Sequence, residues 1–259
     1  MPAKLGVESI TANSMTETMA QTITLNHVEA LRSPETAADA DPRTSMFAGQ
    51  TPISLAAHHG DIAAVQISAN VPEKVAIQFE TARNLYLYAW HVYRFFPVAQ
   101  RQALSTLEFG LRSRFPGRLP SQYQSSRNKH PMLAGLLRYA IDQGFIRNED
   151  FSRWHQVVQN RARERRSMES FRYMVDKQID CMQFDENEPV SVTAEDQQWD
   201  LVQVLRDSLP ALRNELSHGS TFLTNQVLGT IEVVGEILSQ IYAPDREAAP
   251  TNLDVTGSR

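Results

Sequence analysis

One short stretch of the chain combines side chains that can cleave a phosphodiester. Arg213 is followed directly by Asn214, and His218 stands one helical turn beyond that asparagine. Cleavage of RNA by its own 2′-hydroxyl needs a base for the hydroxyl proton, an acid for the leaving 5′ oxygen and positive charge near the pentacoordinate phosphate. Histidine titrates near neutral pH, and the guanidinium fork matches phosphate oxygens. We therefore take Arg213, Asn214 and His218 as candidate catalytic residues, with the asparagine orienting the imidazole or holding a phosphate oxygen.

The residues before this stretch predict the helix that positions it. An apolar stripe with steps of three and four residues runs through Trp199, Val202, Leu205, Leu209, Leu212 and Leu216. On a helix with about 100° per residue, Arg213 lies at the edge of that stripe, whereas Asn214 and His218 share a face that points away from it. Pro210 predicts a kink in the same helix.

The remaining pattern from Pro72 onward is also helical. The predicted helices span 75–96, 98–115, 133–145, about 150–182, 193–219 and 220–243, the fifth starting in a capping box formed by Thr193 and Asp196. In the fourth of these helices, four side chains are assigned to the inner side: Trp154, Val158, Phe171 and Val175. Convincing strands are lacking and the connections are short, which predicts an all-α bundle of about five or six helices.

Composition divides the chain into regions. The first 50 residues are rich in Thr, Ala, Ser and Asp, and their only aromatic residue is Phe47, so we expect them to be mostly disordered. The predicted organisation is this N-terminal segment (1–50), a lead-in (51–71) with a short strand at 65–68, a helical domain (72–243) with a long charged helical insert (147–196), and a disordered tail (244–259).

The totals exclude several classes of protein. The 259 residues are 42% hydrophobic and 21% charged, as in a globular protein with a core. The single cysteine, Cys181, excludes an internal disulfide framework and a cysteine-rich zinc site, and His58-His59 has no supporting carboxylates, so we expect no metal and no cofactor. The N-terminus has no long apolar run and no stretch reaches membrane-spanning length, so we expect a cytoplasmic protein without a membrane partner.

Charge is unevenly distributed. The formal net charge is −5, yet residues 101–177 carry 15 Lys and Arg against 7 Asp and Glu. Such a basic centre either attracts a polyanion or complements the acidic remainder of the chain. Its candidate RNA-binding residues are Arg161, Arg163, Arg165 and Arg166. The alternative is a solvated helix face on which these arginines pair with Glu164 and Glu169.

The stretch 213–218 resembles a known signature. Arg-Asn-Glu-Leu-Ser-His, near the end of a helix and followed by another long apolar helix, is similar to the R-N-x3-H motif of HEPN domains. The upstream stretch 103–112 resembles an earlier helix of that family, which often carries an acidic residue on its inner side. The resemblance covers about residues 72–242.

This resemblance implies a fold, a chemistry and a set of roles. HEPN domains are all-α bundles, and their active members are metal-independent endoribonucleases that act as dimers. Carried over by position, Arg213 stabilises the phosphate, His218 is the acid or base, Asn214 assists, and Glu108 is a second-tier orienting partner.

The function implied by the resemblance is that of a homodimeric protein that acts on RNA in a defence or toxin–antitoxin system. It acts either as an endoribonuclease or as an RNA-binding module, with an antitoxin or another product of a neighbouring gene as a further partner. The alternative is a non-catalytic helical domain for protein–protein interaction or scaffolding.

Overall fold

The structure is a computed structural model that describes residues 25–46, 54–117, 119–124, 131–182, 189–218 and 223–244. The chain divides into two compact units, residues 1–38 and 39–259. The first is described at 25–38, where it consists of turns and irregular segments, and the second contains every helix of the described chain.

Regular structure in the described ranges is entirely helical, which confirms the all-α prediction. The helices are α1 (Pro42–Met46), α2 (Leu55–Ala63), α3 (Glu73–Tyr88), α4 (Phe95–Arg114), α5 (Leu133–Asp142), α6 (Ser152–Lys177), α7 (Leu201–His218) and α8 (Leu228–Ile241), with 3₁₀ turns at Ser121–Tyr123 and Asn148–Asp150. Six of them, α3 to α8, lie after Pro72, in agreement with the predicted bundle of about five or six helices, and α1 and α2 precede Pro72, where no helix was predicted.

The short strand predicted at 65–68 is absent from the structure, so that prediction was wrong. The described residues contain no strand with which this segment could pair, and strand hydrogen bonds require one. Instead it runs beside α8, where the backbone N–H of Ser68 donates to the Ser239 hydroxyl over 3.0 Å.

The central helix of the bundle is α4, which packs against α3, α5, α7 and α8. Leu104, Leu107 and Leu111 of this helix are fully buried. A Cβ atom on Gly110 would lie 2.5 Å from a methyl group of Leu238, so the glycine allows α4 and α8 to approach closely. Because α5, α7 and α8 surround this part of α4 together with α3, a charged side chain that is buried there needs an oppositely charged partner.

The boundary between α3 and α4 differs from the prediction. The helix predicted over 75–96 ends at Tyr88, and α4 begins at Phe95 with Pro97 in its first turn, where a missing N–H costs no intrahelical hydrogen bond. Asp41 holds the connection, since its carboxylate accepts from the backbone N–H of Tyr93 over 3.1 Å. Arg43 pairs with the same carboxylate over 2.9 Å, and the bonds from Arg43 and Tyr93 outweigh burial and lower the pKa of Asp41 to about 2.

The start of α7 was predicted too early. The carboxylate of Asp196 accepts from the Thr193 N–H over 2.8 Å, and the Thr193 hydroxyl accepts from the Asp196 N–H over 3.4 Å, as in a capping box, but only a turn follows. The carbonyl of Trp199 accepts from the Trp154 indole over 2.8 Å and is drawn towards α6. Asp200 then accepts from an N–H in the first turn of α7 over 3.0 Å, as an N-cap does. The helix continues past Pro210 to His218.

Two other helix ends also differ. The helix α5 ends at Asp142, because Gly144 has a φ of +73° and Phe145 N–H bonds back to the carbonyl of Ala140 over 2.9 Å, a glycine-based helix stop. The last helix begins at Leu228, and its predicted caps at 220 and 221 lie outside the described residues.

The inner side of α6 was assigned wrongly in its second half. Trp154 and Val158 are buried as predicted, and Ala162 continues their stripe, but Phe171 and Val175 are exposed. At about 100° per residue, these two side chains lie roughly 100–140° around the helix from Val158, so they cannot share its buried face.

Candidate functional site

A buried carboxylate on the central helix is the starting point of the site. The Glu108 side chain is only 6% exposed, and two arginines contact it. Its Oε2 lies 3.2 Å from Nη2 of Arg213 on α7, and its Oε1 accepts a hydrogen bond from Nη2 of Arg112 on α4. A buried charge is costly unless it is paired, and here each carboxylate oxygen has its own guanidinium.

Glu108, Arg112 and Arg213 form what we call the Glu108 cluster, which carries one more positive than negative charge. Arg213 is 27% exposed and Arg112 is about half exposed, so both guanidiniums reach solvent while the carboxylate does not. The cluster therefore presents cationic hydrogen-bond donors outward from a buried anchor, which is an arrangement that attracts an anion.

The end of α7 carries the other two predicted catalytic residues. Asn214 and His218 are both exposed, as the helical period predicts, and His218 is the last residue of the helix. The hydroxyl of Ser217 donates to the carbonyl of Arg213 over 2.7 Å, a common way to satisfy a carbonyl near a helix end. The structure thus brings Arg213 into contact with Glu108, whereas Asn214 and His218 lie on the solvent side of the same helix end.

Arg112 is the residue that our sequence reasoning missed. It lies four residues after Glu108, a spacing that places the two side chains on one helix face, so the spacing was the available signal. Its Nη2 also reaches the carbonyl of Pro131 at 3.4 Å. With Phe115 and Leu136, among others, Arg112 also lines a cavity of about 430 Å³.

The four candidate RNA-binding arginines of α6 do not behave alike. Arg165 is tied down, since it pairs with Asp196 over 3.1 Å and with Glu169 over 3.3 Å. Arg161 and Arg163 are exposed, and Arg163 bonds weakly to Asn160 over 3.4 Å. The fourth, Arg166, is half-buried and has an interaction of its own. For Arg165, therefore, the structure shows the alternative to RNA binding, an ion pair with Glu169 on the same helix.

His58 shows how a core histidine looks in this protein. It is buried, stacks on the Tyr86 ring with 4.5 Å between centroids, and its Nε2 lies 2.9 Å from the Tyr86 carbonyl. Burial lowers the pKa of His58, because the charged imidazolium would lose its hydration. By contrast, the exposed His218 has its imidazole available to a ligand.

Across the described residues, no group of three or more His, Cys, Asp or Glu side chains is placed to hold a metal ion. No helix in the same ranges is both long enough and apolar enough to cross a membrane. Comparisons of the chain with protein-family models, curated proteins and solved structures found no match.

Proposed function

We propose that this chain is a HEPN-like protein that acts on RNA as a metal-independent endoribonuclease. In this proposal Arg213 stabilises the phosphate, His218 transfers protons and Asn214 assists. One observation carries it: the guanidinium of Arg213 is anchored 3.2 Å from a buried carboxylate on another helix, five residues before the exposed His218.

The anchor matters because a catalytic cation works best when it is already in place. Glu108 contacts one terminal nitrogen of Arg213, and a guanidinium has five N–H donors in a fixed fork. The remaining donors are available to two phosphate oxygens, with little of the ordering cost that a free arginine would have. Arg112 adds a second guanidinium to the same anion site.

The proposed reaction is strand cleavage by the neighbouring 2′-hydroxyl. One imidazole takes the hydroxyl proton, the 2′ oxygen forms a bond to phosphorus, and the bond from phosphorus to the 5′ oxygen breaks as an acid protonates that oxygen. The products are a 2′,3′-cyclic phosphate and a 5′-hydroxyl. The chain offers one histidine at this helix end, so we propose a homodimer in which the second copy supplies the second imidazole.

RNA beyond the cleaved bond needs a basic surface. Arg161 and Arg163 are the exposed members of the α6 group, and we propose that they contact phosphates. We also propose a cytoplasmic defence or toxin–antitoxin role, with an antitoxin or a neighbouring-gene product as partner; the support for this wider setting is the similarity of residues 213–218 to the HEPN motif.

A second candidate function is a non-catalytic scaffold or interaction domain. The same ion pair supports it, because Glu108 and Arg213 join the central helix to α7 and so stabilise the bundle whether or not RNA binds. On this account the arginine serves only to neutralise a buried carboxylate.

Incubation of the purified full-length protein with mixed RNA in EDTA separates the two candidates. The nuclease proposal expects cleavage that leaves 2′,3′-cyclic phosphate and 5′-hydroxyl ends. It also expects a single 2′-deoxy substitution at a cleaved position to protect that position. If the RNA stays intact in EDTA at micromolar protein, the scaffold is the better account, and if 2′-deoxy substrates are cut equally well, the proposed reaction is wrong.

A further inference from the structure

The second half of α6 exposes more large apolar side chains than a solvated helix needs. Beyond Ala162 no residue of this helix is buried. Met168 is 54% exposed, Phe171 61% and Val175 62%, and Ile179 just past the helix end is also exposed. Apolar side chains clustered in this way on a surface mark a contact with another molecule.

These side chains form a stripe, with one charged residue a helical turn before Met168 and another a helical turn after it. Met168, Phe171 and Val175 lie within about 60° of one another around the helix axis. Glu164 lies four residues before Met168 and Arg172 four residues after it, each about 40° from Met168 on opposite sides.

Glu164 and Arg172 are too far apart to pair within one helix. They are separated by about 12 Å of helical rise. Across the described part of the chain, neither side chain makes a hydrogen bond or an ion pair. Glu164 and Arg172 are therefore two opposite charges at equal distances from Met168, and each could pair with a residue of another molecule.

We propose that α6 pairs in an antiparallel manner with α6 of a second copy of this chain, about a two-fold axis at Met168. This axis places Glu164 of each copy opposite Arg172 of the other, so the dimer contains two such ion pairs. The same register places Phe171 and Val175 of each copy opposite Arg165 and Arg161 of the other, so that the aliphatic stems of these arginines cover the stripe.

The charge along α6 favours the antiparallel direction over the parallel one. Residues 152–166 contain five arginines and one glutamate, whereas residues 167–180 contain two basic and three acidic side chains. Antiparallel pairing places the basic half of each helix beside the acidic half of the other. Parallel pairing would place the two basic halves together and the two acidic halves together. This inference uses no residue of the Glu108 cluster, so the pairing can hold even if the nuclease proposal fails.

Sedimentation of the full chain with charge-reversed variants tests the pairing. We expect a dimer for the wild type. Glu164→Arg and Arg172→Glu each create two like-charge contacts in the dimer and should raise the dimer Kd by about tenfold or more. The double variant E164R/R172E restores both pairs and should return the Kd to near the wild-type value. Phe171→Asp should give a monomer, while Ile77→Asp, at an exposed apolar position on α3, should leave the dimer intact.

A cysteine placed on the axis tests the register. In a Cys181→Ser background, Met168→Cys should form an interchain disulfide under mild oxidation, because the two-fold axis brings the two copies of position 168 together. Circular dichroism of each variant separates lost pairing from lost folding.

Four results would overturn the inference. They are a wild-type monomer at micromolar concentration, a dimer that survives Phe171→Asp, a double variant no better than the single ones, and a dimer in which Met168→Cys does not cross-link. Each variant is also assayed for RNA cleavage, so that failure of the pairing and failure of the nuclease proposal remain distinguishable.

Discussion

Glu108 and Asp196 are two of the buried carboxylates that pair with arginines, and their clusters differ in the net charge that remains. Glu108 is shared by Arg112 and Arg213, so that cluster has an excess positive charge. Among the described residues, Asp196 pairs with one arginine, Arg165, whose Nη1 also contacts Glu169 at 3.3 Å, so the second cluster has an excess negative charge.

The donors of the two clusters are also used differently. Arg165 donates to the Asp196 carboxylate and, over 2.9 Å, to the carbonyl of Ser191, so its fork is occupied within the chain. The backbone N–H and hydroxyl of Thr193 complete the bonds to Asp196. Arg213 has one terminal nitrogen on Glu108 and is partly open to solvent. An arginine in a buried ion pair is thus a candidate ligand for phosphate only when its cluster keeps positive charge and free donors.

The largest effect is expected when the charge of Glu108 is removed. Glu108→Gln leaves Arg112 and Arg213 side by side without their counter-charge, and should lower the free energy of unfolding by about 1–3 kcal/mol. RNA cleavage in EDTA should fall by about tenfold or more, because Arg213 loses its anchor. Urea unfolding and the cleavage assay measure the two effects.

The matched control is Glu215→Gln, which removes an exposed carboxylate from α7 and should change the free energy of unfolding by less than about 0.5 kcal/mol. If Glu108→Gln and Glu215→Gln changed the free energy of unfolding and the cleavage rate equally, Glu108 would not be the anchor of Arg213.

A smaller effect is expected on RNA affinity. In a His218→Ala background that prevents cleavage, Arg112→Ala should weaken RNA binding and reduce the slope of log K against log salt by about 1, because one phosphate contact is lost. Arg165→Ala should leave affinity and slope unchanged, since its donors are already occupied. Fluorescence anisotropy over a salt series measures both, and the reverse ranking would refute the comparison of the two clusters.

The smallest effect concerns stability in acid. The guanidinium of Arg165 and the backbone N–H of Thr193 lower the pKa of Asp196 from its ordinary value of 3.8 to about 2. The folded pKa lies below the unfolded one, so the ionised carboxylate stabilises the fold above about pH 4, and this contribution is lost as the pH falls towards 2. Wild type should therefore exceed Asp196→Asn in stability at pH 5, with the gap closing by pH 2 in denaturant titrations. A gap that is the same at both pH values would show that ionisation of Asp196 is not its source, and Asp180→Asn at an exposed carboxylate serves as the control.

Local periodicity accounts for much of the α7 surface. Leu205 and Leu209 are buried and Asn214 and His218 are exposed, as expected when position on one helix decides burial. The inner-side assignment of Phe171 failed because the same period places this side chain about 140° around α6 from the buried Val158.

Contacts between distant residues were harder to predict. Glu108 and Arg213 lie on different helices, and only the HEPN resemblance suggested Glu108. The two ends of the Arg165–Asp196 pair are separated by 31 residues, and the capping-box pattern at Thr193 gave no sign that the carboxylate would also hold an arginine. Two helix boundaries differ from the prediction where a tertiary hydrogen bond uses a backbone group near the helix end. The Tyr93 N–H donates to Asp41 before α4, and the Trp199 carbonyl accepts from the Trp154 indole before α7.

The most direct test is the single-turnover rate of RNA cleavage in EDTA for four variants of the full chain. Arg213→Ala and His218→Ala should each lower the rate by about 100-fold or more, since one removes charge stabilisation and the other proton transfer. Arg206→Ala, at another partly exposed arginine of α7, and His155→Ala, at an exposed histidine of α6, should keep the wild-type rate. Cleavage that survives both Arg213→Ala and His218→Ala would contradict the claim that this end of α7 grips and cuts a phosphodiester.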